Sequence, residues 1–542
     1  MVTTPADDFD ALLATAPSDP PPAEPAALGS RLDEWWDRMM WLPSRARAWT
    51  WGVPTFVTLV AAGTRLWSLG HPQELVFDET FYVKDAWSLV NLGYSANWPS
   101  DTDPIFASGG TDTFLQTGSY VVHPPLGKWL IGAGMALFGP DPAASWRAAT
   151  AVVGILAVVL LFFVAKKLFR STLLAGMAGF LFAIDGNAIV MSRVALLDNF
   201  VMFFALLGFG AILLDREWMR GRLEAWAARR KTEGLPLAWG PVFWWRPWLF
   251  AAGLAFGLTT AVKWSGLYFL AAFAIYSLVV DLLAHRRAGV AFWPATVFRQ
   301  GPVSFLLTVP IAAVVYFGSW ASWFTTKGGY DRGWADVPGN AATGILSFLP
   351  HSLQSFWHYQ TGVYAYHVGE MRPHAYQANP LSWLLMVRPT SMYYSSDQTG
   401  CSTSLCGSSI TGIANPLIWW AGTAAVFYLC YRLVRFREWR VGLILMGMLA
   451  GYVPWLLYLN RTVFQFYTIA FEPYMILALT LAIGILLGSK YDPPWRRENA
   501  WRVLAVFFGL AIAISVFFWP LWTGMQIDYN YLRAHWWLPS WR

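Results

Sequence analysis

The chain has 542 residues, 56% of them hydrophobic, 17% aromatic and only 13% charged, with a formal net charge of +6. An average soluble domain carries about 25% charged residues, so a chain with half that share cannot wet its own surface and a soluble enzyme is all but excluded. Three cysteines are too few for a disulfide-stapled secreted scaffold, and no Cys/His spacing resembles a zinc site.

In chain order, residues 1 to about 30 are rich in Pro, Ala and Asp and cannot bury enough apolar surface to order themselves, so a disordered cytoplasmic tail is expected. They lack the basic head and apolar core of a signal peptide. The stretch RLDEWWDRMMWL then sets tryptophans and methionines among charges, which suits either a helix lying on the inner leaflet or an aromatic anchor for the first span. Hydrophobic runs near 20 residues long follow at about Thr50 to Ser68, Ala148 to Val164, Leu267 to Leu283 and Val303 to Trp320. Others cover Pro416 to Val434, Val441 to Leu459, Thr468 to Leu487 and Leu504 to Trp522. The run from Leu173 to Leu214 is broken by Asp185, Gly186, Asn187 and Arg193, which predicts a hairpin of two spans, and Leu249 to Val262 adds one more. Eleven spans result.

An odd number of spans puts the termini on opposite sides. Of the 38 basic residues, 25 fall in one alternate set of connections, so the positive-inside rule makes the N-terminus cytoplasmic and the C-terminus external. The expected division is a tail with an interfacial segment (1–48), a membrane domain (49–522) and an external tail (523–542). Chemistry is expected in the two large external segments, 69–147 and 321–415. Neither holds a run that could span; Leu126 to Phe138 has the length of an interfacial helix. No repeat of 20 to 50 residues and no nucleotide-binding glycine fingerprint is present, and nothing points to nucleic acid.

Adjacent carboxylates at Asp78 and Glu79, about ten residues past the first span, are the sharpest chemical feature. A carboxylate partly desolvated at a membrane interface gains proton affinity and suits a general base. The alternative is a helix cap at Asp78 with Glu79 answering the macrodipole, which would lower the pKa. In HPPLGKWL two prolines fix the chain before a helix, so His123 is rigidly presented and Lys128 falls in the first turns; a lysine snorkelling to headgroups fits equally. Arg147, Arg193, Lys263 and Arg461 are basic residues at external span ends, where each could anchor to headgroups or together they could hold a phosphate. The D-x-D pattern at Asp101 and Asp103 is discounted, because it depends on a strand end in an α/β domain. Cys401 and Cys406 could pair in an oxidising compartment, and Cys430, inside a span, is expected as a buried thiol.

Seven segments in order carry a family resemblance: VFDETFY (76–82), HPPLGK (123–128), WRA (146–148), RVALLDNF (193–200), AVKWSG (261–266), HAYQANPLSW (374–383) and NRTVFQFY (460–467). With them the chain, from about residue 50 to 522, resembles the protein O-mannosyltransferases, which transfer mannose from dolichyl or polyprenyl phosphate mannose to proteins. The resemblance implies an all-α GT-C membrane fold of about eleven spans, whose external cavity takes the lipid-linked sugar from the bilayer and the acceptor from outside. It makes Asp78 the essential acid, with Glu79 helping to position a Ser or Thr acceptor. His123, Lys128, Arg147, Arg193, Asp198, Lys263, His374, Tyr376, Trp383 and Arg461 become candidate substrate-binding residues. No metal or cofactor is required on chemical grounds, because a phosphate already activates the sugar; metal dependence stays open.

Eukaryotic members of that family carry a β-trefoil MIR domain between the seventh and eighth spans, and residues 321–415 are too few for one. The Ala/Trp/Arg-rich style resembles the actinobacterial branch, which implies a polyprenyl donor in the plasma membrane and secreted acceptors, with the Sec translocon as a possible partner. Two other functions stay open on these residues: a GT-C transferase acting on a lipid or cell-wall glycan, and a secondary transporter, which predicts two related halves.

Overall fold

A chain in hydrocarbon must satisfy its own backbone, and this one does so almost wholly as helices. The computed structural model describes residues 31–398, 401, 405–489 and 492–542; the tail expected over residues 1 to about 30 lies outside them. Helix α1 (Arg31–Met40) leads into α2 (Pro43–Leu66), which starts on a proline where the missing N–H is an orphan anyway. The first large inter-span segment contributes α3 (Glu79–Leu92) and α4 (Leu126–Phe138). Next come α5 (Ala143–Phe169), α6 (Thr172–Ile184), α7 (Gly186–Arg193) and α8 (Asp198–Thr232), then α9 (Pro247–Val262), α10 (Gly266–Arg287) and α11 (Trp293–Ser319). The second large segment holds α12 (His351–Gly369), β1 (Ser391–Gln398) and β2 (Cys406–Thr411). Helices α13 (Pro416–Phe436), α14 (Trp439–Leu457), α15 (Glu472–Leu487) and α16 (Pro494–Thr523) follow, and β3 (Ile527–Asp528) closes the series.

Among the described residues seven helices are long and apolar enough to cross a membrane: α5, α8, α10, α11, α13, α14 and α16. The pair α6 and α7 adds an eighth if taken as one span bent by 60°. Helices α2, α9 and α15 stand where the other three spans are expected. The bend refines the expected hairpin: Asp185 breaks one span internally, and the chain reverses only after Arg193. Broken helices leave carbonyls and N–H groups without partners, and both sets are answered here. Arg65 donates to the carbonyls of Phe182 and Ala183 at 3.0 and 2.7 Å, and the Asp185 carboxylate caps α7 by accepting from the Asn187 N–H at 2.9 Å.

Cross-helix contacts gather most of the basic span ends on one face. Lys167 pairs with Glu217 at 2.5 Å, Arg440 donates to the Leu168 carbonyl at 2.7 Å, and Arg246 is held between Asp215 and Asp281. On the opposite face the two large segments meet. There Gly118 lies so close to residues 328–330 that a Cβ would come within 2.4 Å of the Tyr330 nitrogen, so only glycine fits. The sheet runs β1-β2-β3, both pairs antiparallel, and β2–β3 pairing docks the C-terminal segment onto this face. Cys401 and Cys406 are disulfide-bonded. Cys430 is exposed on α13 and not buried as expected: its position in a span did not fix which side of the helix faces the protein.

Candidate active site

Asp78 occupies the N-cap position of α3, yet its side chain makes no capping hydrogen bond. The preceding residue, Phe77, sits at φ 49°, in the left-handed region that non-glycine residues rarely adopt. The rings of His374, Phe464 and Phe466 surround Phe77 edge-on at 6.0, 5.6 and 5.7 Å and hold it there. Asp78 is therefore aimed by aromatic packing behind it. Tyr82, one turn on along α3, lies with its hydroxyl 3.5 Å from Asp78 Oδ2. Burial pushes the Asp78 carboxyl up to about 6; Lys263 opposes that shift, Asp198 adds to it, and the Tyr82 hydroxyl opposes it. A carboxylate so placed is ionised at neutral pH and close enough to it to accept a proton.

A cavity of about 320 Å³ is lined by His123, Asp198, Lys263, His367, Arg461 and Tyr467 among others; Asp78 is not in the lining, but two of the lining charges, Lys263 and Asp198, act on it. Lys263 Nζ pairs with Asp198 Oδ2 at 2.7 Å and lies 5.0 Å from the centre of the Tyr467 ring. Arg461 donates from Nη2 to His367 Nδ1 at 3.0 Å, and His367 Nε2 contacts the Val122 carbonyl at 2.8 Å. That pair of contacts fixes the tautomer, with the proton on Nε2. Burial first, then the Arg461 charge, pulls the His367 imidazole down to about 4, so it is neutral. Its ring stacks on His123 at 5.3 Å, and burial holds His123 well below the usual histidine range too. Among the described residues, two buried polar atoms of the lining residues have no hydrogen-bond partner: His123 Nδ1 and Arg461 Nε. The wall of this cavity therefore carries a guanidinium with an unpartnered nitrogen, an ammonium with donors beyond the one given to Asp198, and two neutral imidazoles.

Two family models match the chain, one described as dolichyl-phosphate-mannose-protein mannosyltransferase over residues 142–324, the other as the C-terminal four TMM region of protein-O-mannosyltransferase over residues 352–541. Over 511 residues the chain is 32% identical to the polyprenol-phosphate-mannose–protein mannosyltransferase of Mycolicibacterium smegmatis (strain MKD8), covering 92% of this chain and 94% of that one. The chain belongs to the protein O-mannosyltransferase family. A second relative of the same name, from Corynebacterium glutamicum, is 31% identical over 531 residues and 96% of each chain. The S. cerevisiae protein O-mannosyltransferase Pmt1-Pmt2 complex bound to the sugar donor superposes with a TM-score of 0.67 at 14% identity, over 90% of this chain and 92% of that one. The GT-C fold of a membrane mannosyltransferase is the fold observed.

In this mannosyltransferase the residues singled out from sequence divide into two groups. His123, Asp198, Lys263 and Arg461 line the cavity and Asp78 lies within reach of the charges of Lys263 and Asp198; Arg147, Arg193, Lys128 and Glu79 are not in the lining. Arg147 is buried and spent on Glu79 and on the carbonyls of Leu69, Pro72 and Glu74, so no edge is left for a phosphate. Glu79 also accepts from the Ala195 and Val76 N–H groups at 2.8 and 2.9 Å, so it has no capacity to hold an acceptor. Arg193 donates to the carbonyls of Arg65, Trp67 and Ser68 and secures the end of α2. Lys128 is buried against Asp85 at 3.0 Å. Trp383 is a core residue, fully buried with its indole donating to the Ala378 carbonyl at 3.0 Å. His374 is exposed and flanks Phe77, and Tyr376 beside it is half-buried, so they border the site from outside. Asp103 pairs with Lys84 at 2.6 Å, which accounts for half of the D-x-D pattern.

Sequence reasoning passed over Tyr82, His367 and Tyr467. Tyr82 is four residues from Asp78 and so on the same helix face, a signal that was available. His367, one of three histidines in the aromatic helix α12, gave none.

Proposed function

We propose that the chain transfers mannose from polyprenyl phosphate mannose to Ser or Thr hydroxyls of protein acceptors, with Asp78 as general base and inversion at the sugar carbon. The relatives' names supply donor and acceptor class; the carboxylate supplies the chemistry. The observation that carries the reading is Asp78 itself, its side chain not engaged in capping, without an ion-pair partner among the described residues, and raised to about 6 within reach of the Lys263 and Asp198 charges of the cavity wall.

In the reaction, Asp78 accepts the proton of the acceptor hydroxyl as its oxygen bonds to mannose C1. The bond from C1 to the phosphate oxygen breaks on the opposite face, and its electron pair leaves with polyprenyl phosphate. Lys263 and Arg461 stabilise the charge that builds on that phosphate, and His123 and His367 border it as neutral imidazoles. The neutral Tyr82 hydroxyl, well above its usual pKa through burial and the Asp78 charge, donates to Asp78 and keeps it oriented. The positive-inside bias sets this cavity on the external side, where acceptors are secreted proteins emerging from the translocon.

The test compares wild type with Asp78→Asn in membranes given labelled polyprenyl phosphate mannose and a Thr-rich peptide. Wild type labels the peptide and the variant does not. Undiminished transfer by the variant removes Asp78 from the mechanism, and labelling of a lipid or glycan but no peptide by wild type removes the acceptor class.

A further inference from the structure

A second cavity, of about 660 Å³, lies on the basic face at the other end of α2 from Asp78. Its size falls within the roughly 300–1,000 Å³ of small-molecule sites. The walls come from α1, α2, α6 and α16, and among the lining residues Arg45 alone is charged or polar.

The cavity follows one stripe of α2, in which Arg45, Trp49, Gly52 and Phe56 recur at helical spacing. From Arg45 to Phe56 the helix rises roughly 16 Å, about the hydrocarbon depth of one leaflet. Phe56 stacks on Phe180 at 6.1 Å, and Phe180 lies 6.3 Å from Phe508; with Val57 these are the lining residues at the end of the slot away from Arg45. At the mouth α1 is fastened on two sides. Trp36 packs edge-on against Trp49 at 4.6 Å, and Asp33 takes both Nε and Nη2 of Arg497 at 2.7 and 2.6 Å. Gly52 faces the open space, since a Cβ there would meet nothing within 4 Å. Arg45 reaches only the Met39 sulfur, at 3.7 Å, and no carboxylate lies within ion-pair distance of it among the described residues.

An apolar slot one leaflet deep, with an unpaired guanidinium at its interfacial end, is complementary to a lipid whose phosphate carries the charge. We propose that it holds one anionic glycerophospholipid of the leaflet on the basic face, with an acyl chain along the α2 stripe and the phosphate at Arg45. Exposed Arg38 and Arg47 at the same helix ends add to the attraction for an anionic headgroup. A phosphate can take two parallel N–H bonds from a guanidinium, which makes Arg45 the group that selects charge while the slot selects the chain. The site is separate from the transfer chemistry and does not depend on it.

Native mass spectrometry of the full-length chain in mild detergent tests this with phosphatidylglycerol, phosphatidylcholine and polyprenyl phosphate added at equal concentration. Wild type is expected to retain one phosphatidylglycerol in preference to phosphatidylcholine. Arg45→Gln lowers that preference about ten-fold or more, the loss of a charge-assisted hydrogen bond. Gly52→Phe fills the slot without meeting protein at Cβ and abolishes retention of both phospholipids. Equal retention by wild type and Gly52→Phe overturns the site, and an unchanged lipid preference in Arg45→Gln overturns the headgroup assignment. Stronger retention of polyprenyl phosphate than of phosphatidylglycerol overturns the choice of lipid. If Gly52→Phe does not fold, the exposed Arg45→Gln substitution still decides.

Discussion

Arg147 and Glu79 form a fully buried bidentate pair, Nε to Oε1 at 2.8 Å and Nη2 to Oε2 at 2.9 Å, and this pair divides the labour between two adjacent acids. Glu79 anchors the start of α3 to α5, while its neighbour Asp78 has no ion-pair partner among the described residues and takes only the Tyr82 hydroxyl. Removing one partner of a buried pair strands the other charge at a cost of about 3–5 kcal/mol. Arg147→Met is therefore expected to lower unfolding stability by about that amount, and Glu79→Met in the same chain to restore part of it. Thermal unfolding in detergent measures both; a phosphate-binding role for Arg147 predicts instead a normal melt and a raised donor KM.

Asp78→Asn is expected to lower kcat by about 10²–10⁴, the usual worth of a general base, while leaving the melting temperature at pH 7 equal to or above that of wild type. The sign follows from the raised pKa. The unfolded chain gives up this proton near the ordinary 3.8 and the folded chain only near 6, so between those values folding takes up a proton and stability contributed by protonated Asp78 is lost as pH rises. The difference in melting temperature, variant minus wild type, should thus be larger at pH 7.5 than at pH 5.

Transfer by wild type should fall as pH drops through about 6, because the base form of Asp78 is consumed. Lys263 opposes the rise in that pKa, so Lys263→Met is expected to move the acid limb to higher pH as well as slow the reaction. A pH profile of kcat/KM on both proteins checks it; an unmoved limb would place the titrating group elsewhere.

Arg461→Gln removes a cation of the cavity lining whose Nε has no partner among the described residues, and also the donor to His367 Nδ1. Loss of a charge-assisted hydrogen bond to the phosphate predicts about a 10–100-fold drop in kcat/KM for the donor, with peptide KM unchanged. Initial rates with each substrate varied in turn separate the two.

Trp383→Ala should act on folding and not on recognition. A fully buried tryptophan truncated to alanine costs about 3–5 kcal/mol, read by thermal unfolding, and the protein that remains folded should keep its peptide KM.

The sequence by itself determined a membrane protein with helices near the expected spans, the interfacial helix at Leu126–Phe138, the face where basic residues collect and, through seven motifs in order, the family. These properties are written locally: hydropathy over a helix length, charge at its ends, prolines at its start. Which of the rare charges face a ligand was decided only by tertiary structure. Arg147, Arg193, Lys263 and Arg461 look alike in sequence, each a lone cation at a span end. Two of them are spent on buried carbonyls and Glu79, one is shared with Asp198, and one keeps a nitrogen without a partner among the described residues, because the partners that satisfy a buried cation come from segments far away in the chain. The same holds for the acids: adjacency in sequence said nothing of their roles. A one-residue step along a helix turns a side chain by about 100°, enough to send Glu79 onto Arg147 and leave Asp78 facing the charges of Lys263 and Asp198.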